Sequence, residues 1–345
     1  MGLQFKDLVV KKETTIKELN GKVLAVDSMN LLYQFLTTIR APDGSALTDG
    51  KGQVTSHLIG LFYRTTSLLE EGLKLIFVFD GKAPEIKRRT WEKRTQLKAE
   101  ATLKLKEATE AENQEEMRKY ASRTAILTKE MREEAKRLIT AFGCPIVEAP
   151  SEGEAETAYL AKIGKAYASV SQDYDNLIFG CPLLIRNLSL EGKRKRAGKF
   201  AYQIIKPEII SLSEVLGNLK IELEQLIVLA ILVGTDYNPG GVKGIGPKKA
   251  LKLVQENGKD FEKIFLLAEW DKYYPDLTWK EIFDTIKNIP VTDKVKLEWQ
   301  PVDEKAVLKL LVEEHNFSEE RIRAKLDNLK KSSGSSAQKG LRNFF

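Results

Sequence analysis

Residues 169–180, SVSQDYDNLIFG, set Asp173 and Asp175 two positions apart between apolar flanks. Side chains of an extended strand alternate faces, so both carboxylates are expected to point the same way. Other acids also follow apolar runs: Asp27 after KVLAV, Asp80 after LKLIFVF, Glu152 and Glu154 after CPIVEAPS, and Asp236 after LIVLAILVGT. Each alone has an ordinary reading as a turn residue, a helix N-cap or an acid favoured by a helix dipole. Ser151 and Glu154, for instance, fit an S-x-x-E capping box. Seven in one place need another reason, because crowded anions raise one another's pKa unless cations neutralise them. Oxygen donors without His or Cys select hard ions such as Mg²⁺ or Mn²⁺. Seven carboxylates suffice for two ions about 4 Å apart, a spacing that clamps the attacking and leaving oxygens in phosphodiester cleavage.

What must position these acids is an alternation of strands and helices. The runs KVLAVD, LKLIFVFD, CPIVEAP and AYASVSQD read as buried strands, with helices between them, for example at 53–72 and 152–163. That order predicts an α/β fold with a mainly parallel central sheet flanked by helices. Ligands of such sheets bind beyond the carboxyl ends of the strands, where the acids fall. Residues 86–140 differ, being rich in Ala, Glu, Lys and Arg without Gly or Pro. They are expected to form helices that project from the core. Residues 222–330 read as all-helical with Gly/Pro punctuation at 238–247, and KKSSGSSA (330–337) reads as a flexible linker before QKGLRNFF.

Three further patterns suit a polyanion and a partner. GGVKGIGPKKA (240–250) places Gly244 and Gly246 in a tight turn before Pro247, the favoured first residue of a helix. Backbone N–H groups there, with Lys248 and Lys249 beside them, would hold a nucleic-acid backbone without reading bases. Lys87, Trp91, Arg94 and Lys98 form one helical stripe beginning seven residues after Asp80. Its cations are placed to stabilise phosphate charge. In the tail, Gln338, Leu341, Phe344 and Phe345 match Q-x-x-L-x-x-F-F. Two terminal aromatics on a tether have no core of their own and are expected to dock in a partner's groove.

Composition narrows the class. The chain has 345 residues, 42% hydrophobic and 30% charged, with formal net charge +6. No run approaches the roughly 20 apolar residues of a membrane span, and no signal peptide is expected at the start. Cys144 and Cys181 are too few for a disulfide framework, and two histidines make a zinc site a poor fit.

Together, VDSMNLLYQFL, TSHLIGLFYRT, VFDGKAPEIKRRTWEKR, APSEGEAE, SQDYDNLIFG, LVGTDYNPGGVKGIGPKKAL and QKGLRNFF resemble the flap endonucleases of the XPG/Rad2 superfamily, over nearly the whole chain. The resemblance implies a PIN-like nuclease region over 1–330, with an N-terminal part to about 100, a helical arch and cap at 86–132, an internal region at 133–260, a helical hairpin at 223–256 and a helical part at 257–329. A flexible tail with a sliding-clamp-binding box would occupy 330–345. Asp27, Asp80, Glu152 and Glu154 would hold a first metal ion, and Asp173, Asp175 and Asp236 a second, with Mg²⁺ replaceable by Mn²⁺. Lys87 and Arg94 would be the basic pair at the base of the arch. Tyr33 would stack on a base near the scissile phosphate. Carbonyls of Gly241, Val242 and Ile245 would bind K⁺, and Thr55, Ser56 and His57 would lie near a 3′-flap pocket. The implied activity is metal-dependent cleavage of 5′-flap DNA in replication and repair, by a monomeric archaeal-type cytoplasmic enzyme. Neighbouring alternatives are a 5′–3′ exonuclease, a bubble- or junction-cutting nuclease, and, more distantly, a non-catalytic clamp-recruited scaffold.

Overall fold

The computed structural model describes residues 3, 5–41, 44–111, 113–190, 192–195 and 202–342. Its strands are β1 (Lys12–Glu13), β2 (Val23–Asp27), β3 (Lys74–Phe79), β4 (Ile146–Glu148), β5 (Ala168–Val170), β6 (Leu183–Arg186), β7 (Gly192–Lys195), β8 (Tyr202–Ile205) and β9 (Glu208–Ser211). Seven of them form one sheet in the order β1-β9-β6-β5-β2-β3-β4, while β7 and β8 pair as a separate hairpin. The strands β6-β5-β2-β3-β4 run parallel, and β9 and β1 add antiparallel pairings. The expected mainly parallel sheet is therefore present. Chain order runs outward from β2 through β3 to β4, then returns to β5 on the other side of β2. That reversal opens a crevice at the carboxyl ends of β2 and β5, the usual ligand position in such sheets.

Helices α1 (Ser28–Thr38), α2 (Ser56–Glu70), α5 (Lys129–Ala141) and α6 (Gly153–Lys162) flank the sheet. Leu32, Phe35, Leu58, Leu61, Phe62, Leu138 and Ile139 bury one helical layer against Leu24, Leu75 and Phe77. Gly60 lets α1 and α2 close tightly, since a Cβ there would lie 2.3 Å from the Phe35 ring. A second core gathers around α8 (Leu223–Val233), where every residue from Leu226 to Leu232 is buried. It is completed by α7 (Leu212–Leu219), α9 (Pro247–Asn257), α10 (Phe261–Leu267), α11 (Trp270–Tyr273) and α12 (Trp279–Lys287).

The charged stretch folds as α3 (Arg88–Glu110) and α4 (Gln114–Ala121). Ala101, Ala108 and Ala121 are buried there, while Leu97 and Leu103 are exposed.

Two expectations change. Residues 222–330 are not helical throughout, because 288–303 run as an extended strap across the sheet, with Pro290 and Pro301 breaking helical continuity. The Trp299 indole N–H donates to the Leu75 carbonyl at 3.0 Å, and the Gln300 N–H donates to the Gly143 carbonyl at 2.9 Å. The strap leads to α13 (Glu304–Leu308) and α14 (Glu319–Arg342). The backbone of α14 includes 330–337, in place of the expected linker. Strong helix formers on both sides carry the helix through weak ones when no Pro intervenes. Among the described residues no helix is long and apolar enough to cross a membrane.

Candidate active site

One cavity of about 380 Å³ lies at the carboxyl ends of the parallel strands, lined by Asp27, Asp80, Glu152, Glu154, Asp173, Asp175 and Asp236 together with Tyr33, Lys87 and Lys98. All seven sequence-predicted acids thus reach the same space.

They arrive by different routes. Asp27 ends β2 and caps α1, its Oδ1 accepting from the Asn30 N–H at 3.0 Å. Asp80 follows β3, and its Oδ1 accepts from the Gly153 N–H at 2.7 Å, at the start of α6. A Cβ on residue 153 would stand 2.7 Å from that oxygen, so a side chain there would crowd the bond. The expected Ser151–Glu154 capping box does not form. Glu152 is the N-cap of α6 and makes no side-chain cap bond, while Ser151 is buried before it. Asp80 from the neighbouring strand supplies an acceptor at that helix start.

The strand expected to carry Asp173 and Asp175 also ends early. β5 stops at Val170, and Asp175 begins a single 3₁₀ turn, Asp175–Leu177. Both acids face the cavity because the chain turns there, not through strand alternation. The Leu3 N–H donates to Asp175 Oδ1 at 3.0 Å, and Ser171 Oγ lies 3.4 Å from Asp27 Oδ2.

The electrostatics of the cavity favour a cation among its carboxylates. Burial, then Asp80, pushes the Asp27 carboxyl up to about 7. Burial, then Asp173 and Asp236, does the same to Asp175, also to about 7. Glu154 is held well above the ordinary carboxylate range by burial and then by Asp175 and Asp27. Burial also raises Glu152, against the pull of Lys87. Lys87 Nζ sits 2.8 Å from Glu152 Oε1 and 3.5 Å from Asp236 Oδ2, and 5.3 Å from the centre of the Tyr237 ring. Burial disfavours its charge, yet Glu152, Glu154 and Asp236 outweigh that and hold its pKa above an ordinary lysine's.

Among the described residues, no three His, Cys, Asp or Glu side chains close on one point at metal-ligand spacing. The carboxylates instead line the walls of the cavity, which suits a hard divalent ion that keeps several of its waters. An all-oxygen donor set disfavoured in its anionic form fits such an ion.

Other predicted residues divide between the cleft, the surface and the interior. Tyr33 is 37% exposed, with Lys98 Nζ 5.6 Å from its ring centre. Arg94 and Trp91 lie on α3, and their side chains fall outside those described. Gly244, Gly246, Lys248 and Lys249 are exposed at the α8–α9 connection, anchored by buried Val242 and Ile245. Gly246 caps α9 without a side-chain bond, and Pro247 takes the first helical position as expected. Gly241 cannot carry a Cβ, which would meet the Val233 carbonyl at 2.3 Å. The Gly241 carbonyl accepts from the Tyr274 hydroxyl at 3.0 Å, and the Val242 carbonyl accepts from the Ile245 N–H at 3.0 Å. Thr55, Ser56 and His57 are all buried. Ser56 Oγ accepts from the Leu47 N–H at 3.0 Å and His57 Nε2 lies 3.2 Å from Glu134, so they support a loop and offer no exposed contact. Gln338 and Leu341 lie on α14, their side chains outside those described, and Phe344 and Phe345 lie outside the described residues.

Asn30 escaped the sequence reading, although it is bonded to two of the acids. An Asn in the first turn of a helix, three residues after an acid, is the local signal that could have found it.

Residues 3–101 match the XPG N-terminal domain and residues 143–236 the XPG I-region. Over 345 residues the chain is 52% identical to Flap endonuclease 1 of Pyrococcus horikoshii, spanning 100% of this chain and 98% of that protein. The solved structure of flap endonuclease-1 from Methanococcus jannaschii matches with TM-score 0.75 at 42% identity, covering 97% of this chain and 100% of that one. The catalytic core of Rad2 in complex with DNA substrate shares the fold with TM-score 0.70 at 23% identity, over 95% and 100% of the two chains.

Proposed function

The chain belongs to the flap endonucleases of the XPG/Rad2 superfamily, and from that premise we propose how its cleft recognises and cuts DNA. It is a structure-specific nuclease acting on DNA phosphodiester bonds, metal-dependent as its family is. The reaction we propose is hydrolysis of one phosphodiester where a 5′ single-stranded flap meets duplex, as replication and repair intermediates present it. Water adds its hydroxyl to phosphorus and a proton to the departing 3′ oxygen, leaving a 5′-phosphate and a 3′-hydroxyl. The observation that carries this reading is the meeting of seven carboxylates and Lys87 on one cavity.

Asp27, Asp80, Glu152 and Glu154 would hold one divalent ion, and Asp173, Asp175 and Asp236 a second. Bound Mg²⁺, with Mn²⁺ as substitute, would supply the charge that activates water and stabilises the leaving oxygen. Lys87 holds a permanent positive charge against Glu152 at the cavity wall, where it neutralises phosphate charge; Arg94 is proposed as its partner. Tyr33 offers an exposed ring face to a base. The start of α9, with Lys248 and Lys249, holds duplex phosphates without reading sequence. Each hairpin carbonyl that accepts one hydrogen bond keeps a second lone pair, which leaves Gly241, Val242 and Ile245 as candidate K⁺ donors. Residues 86–132 would form the arch through which the free 5′ end passes. Gln338, Leu341, Phe344 and Phe345 would engage a sliding clamp. The archaeal origin of the similar flap endonucleases supports a cytoplasmic location.

The test is cleavage of a labelled double-flap DNA with Mg²⁺ and with EDTA, beside single-stranded, nicked and bubble substrates. A single cut near the flap junction, lost in EDTA, is expected. Preference for the bubble, or stepwise digestion from a nick, would move the protein to a sister activity. Deleting 338–345 should abolish clamp stimulation and spare basal cleavage.

A further inference from the structure

We propose that Asn30 is a positioning residue for the cleavage reaction, holding the Asp173 carboxylate in register with Asp27 across the crevice between β2 and β5. This rests on the reading of the acid-lined cavity as the metal site. Asn30 sits in the first turn of α1, where its N–H donates to Asp27 Oδ1 at 3.0 Å. Its side-chain Nδ2 donates to Asp173 Oδ2 at 2.8 Å, and its Oδ1 accepts from the Gln172 N–H at 3.2 Å. One residue on the β2 side of the crevice therefore grips both the backbone and the carboxylate of the turn that follows β5.

The amide orientation is determined by its partners. A carboxylate only accepts and an N–H only donates, so the amide nitrogen must face Asp173 and the oxygen must face Gln172. The position needs a donor and an acceptor on one short, uncharged side chain. Aspartate would set another oxygen against Asp173 in a cavity already crowded with carboxylates. Leucine would match the size and make neither bond.

The turn does not depend on Asn30 for its existence. The Gln172 carbonyl accepts from Arg186 Nε at 2.8 Å, Gln172 Nε2 donates to Ser189 Oγ at 3.3 Å, and the Asp173 N–H donates to Ser171 Oγ at 3.3 Å. What Asn30 adds is the aim of the Asp173 side chain. Groups that orient a metal-binding carboxylate are typically worth 10- to 100-fold in metal affinity or activity.

The experiment uses the full-length chain in single-turnover cleavage of a labelled flap DNA across a Mg²⁺ titration, with DNA affinity measured in EDTA and a thermal melt for each variant. Asn30→Leu should lower the rate at saturating DNA about 10- to 100-fold and raise the half-saturating Mg²⁺, with DNA affinity and melting little changed. A rate and Mg²⁺ requirement within twofold of wild type would overturn the proposal. So would a loss that tracks melting temperature and DNA affinity at unchanged Mg²⁺ requirement, since that is a structural role. If Asn30→Leu does not fold, Asn30→Asp decides. It keeps the size and the acceptor for Gln172 but removes the donor to Asp173, and at least a tenfold loss is expected. Asp173→Asn is run alongside. If it cleaves normally, the metal-site reading itself fails; if it is inactive while the Asn30 variants are normal, only the present proposal fails.

Discussion

In the cleft, acids that leave the parallel strands are met by donors from other elements: Asp175 by the Leu3 N–H, Asp80 by the Gly153 N–H, and Asp27 and Asp173 by Asn30. Along α3 most of the described side chains are exposed to water. Leu97 and Leu103 are 45% and 64% exposed, and the Lys106–Glu110 pair, at 3.9 Å, is an exposed ion pair of the kind that contributes little. Both regions are charge-rich, but they use charge differently. The cleft confines like charges on a rigid, buried frame and so stores a demand for cations. The helices α3 and α4, proposed as the arch, spread mixed charges over described side chains that are mostly exposed, with Ala101, Ala108 and Ala121 buried among them. Catalysis needs the first arrangement, because ligand positions must not drift. The proposed passage of a strand needs only the second.

The contrast can be broken most directly at the cleft. Asp173→Asn should reduce cleavage roughly 10²–10³-fold, the scale for losing one charge-stabilising group, while DNA binding stays close to wild type; a normal rate in saturating Mg²⁺ would refute the second-ion assignment. The frame is next. Leu229→Ala, at a fully buried position of α8, should cost about 2–5 kcal/mol, read by denaturant unfolding.

Confinement also predicts an unusual pH dependence. Asp27 and Asp175 have folded-state pKa values raised to about 7, so the native state binds more protons than the unfolded chain. Their stabilising contribution is present at low pH and is lost as pH rises through about 7. In EDTA, Asp175→Asn should therefore gain in melting temperature relative to wild type between pH 5 and 8. Adding Mg²⁺ should raise the wild-type melting temperature more at pH 8 than at pH 5. A gap between variant and wild type that does not move with pH would show that Asp175 is not confined as described.

Smaller effects are expected where charge is exposed. Lys248→Ala and Lys249→Ala should each weaken DNA binding about equally across sequences and reduce the salt slope by roughly 1, checked by titrations at several salt concentrations. The smallest change belongs to the arch: Leu103→Ala should shift stability by no more than about 0.5 kcal/mol, and a cost like that of Leu229→Ala would show a packed arch.

The legible part of the site was its chemistry. Acids after apolar runs pointed to residues that line one cavity, whether or not the runs end where expected. Asp173 and Asp175 show the limit. Period 2 placed them on one face of a strand, but β5 ends at Val170 and a turn brings them to the cavity instead. The S-x-x-E pattern at Ser151 likewise matched a local rule that a tertiary bond from Asp80 supersedes. At 288–303, Pro290 and Pro301 signalled the loss of helix, but the strap's course across the sheet depends on bonds to Leu75 and Gly143 that no local pattern encodes.

From sequence alone came the α/β order, the buried strands, the seven carboxylates, the glycine-lysine hairpin and the charged helices, because each is written in the types and periods of neighbouring residues. Only the tertiary structure decided which strand lies beside which, that the reversal falls between β2 and β5, and that Asn30 reaches Asp173 across a separation of 143 residues. The physical reason is range. Propensity, capping and alternation act over a few residues, whereas a hydrogen bond between distant residues exists only after the sheet and its two cores have brought them together.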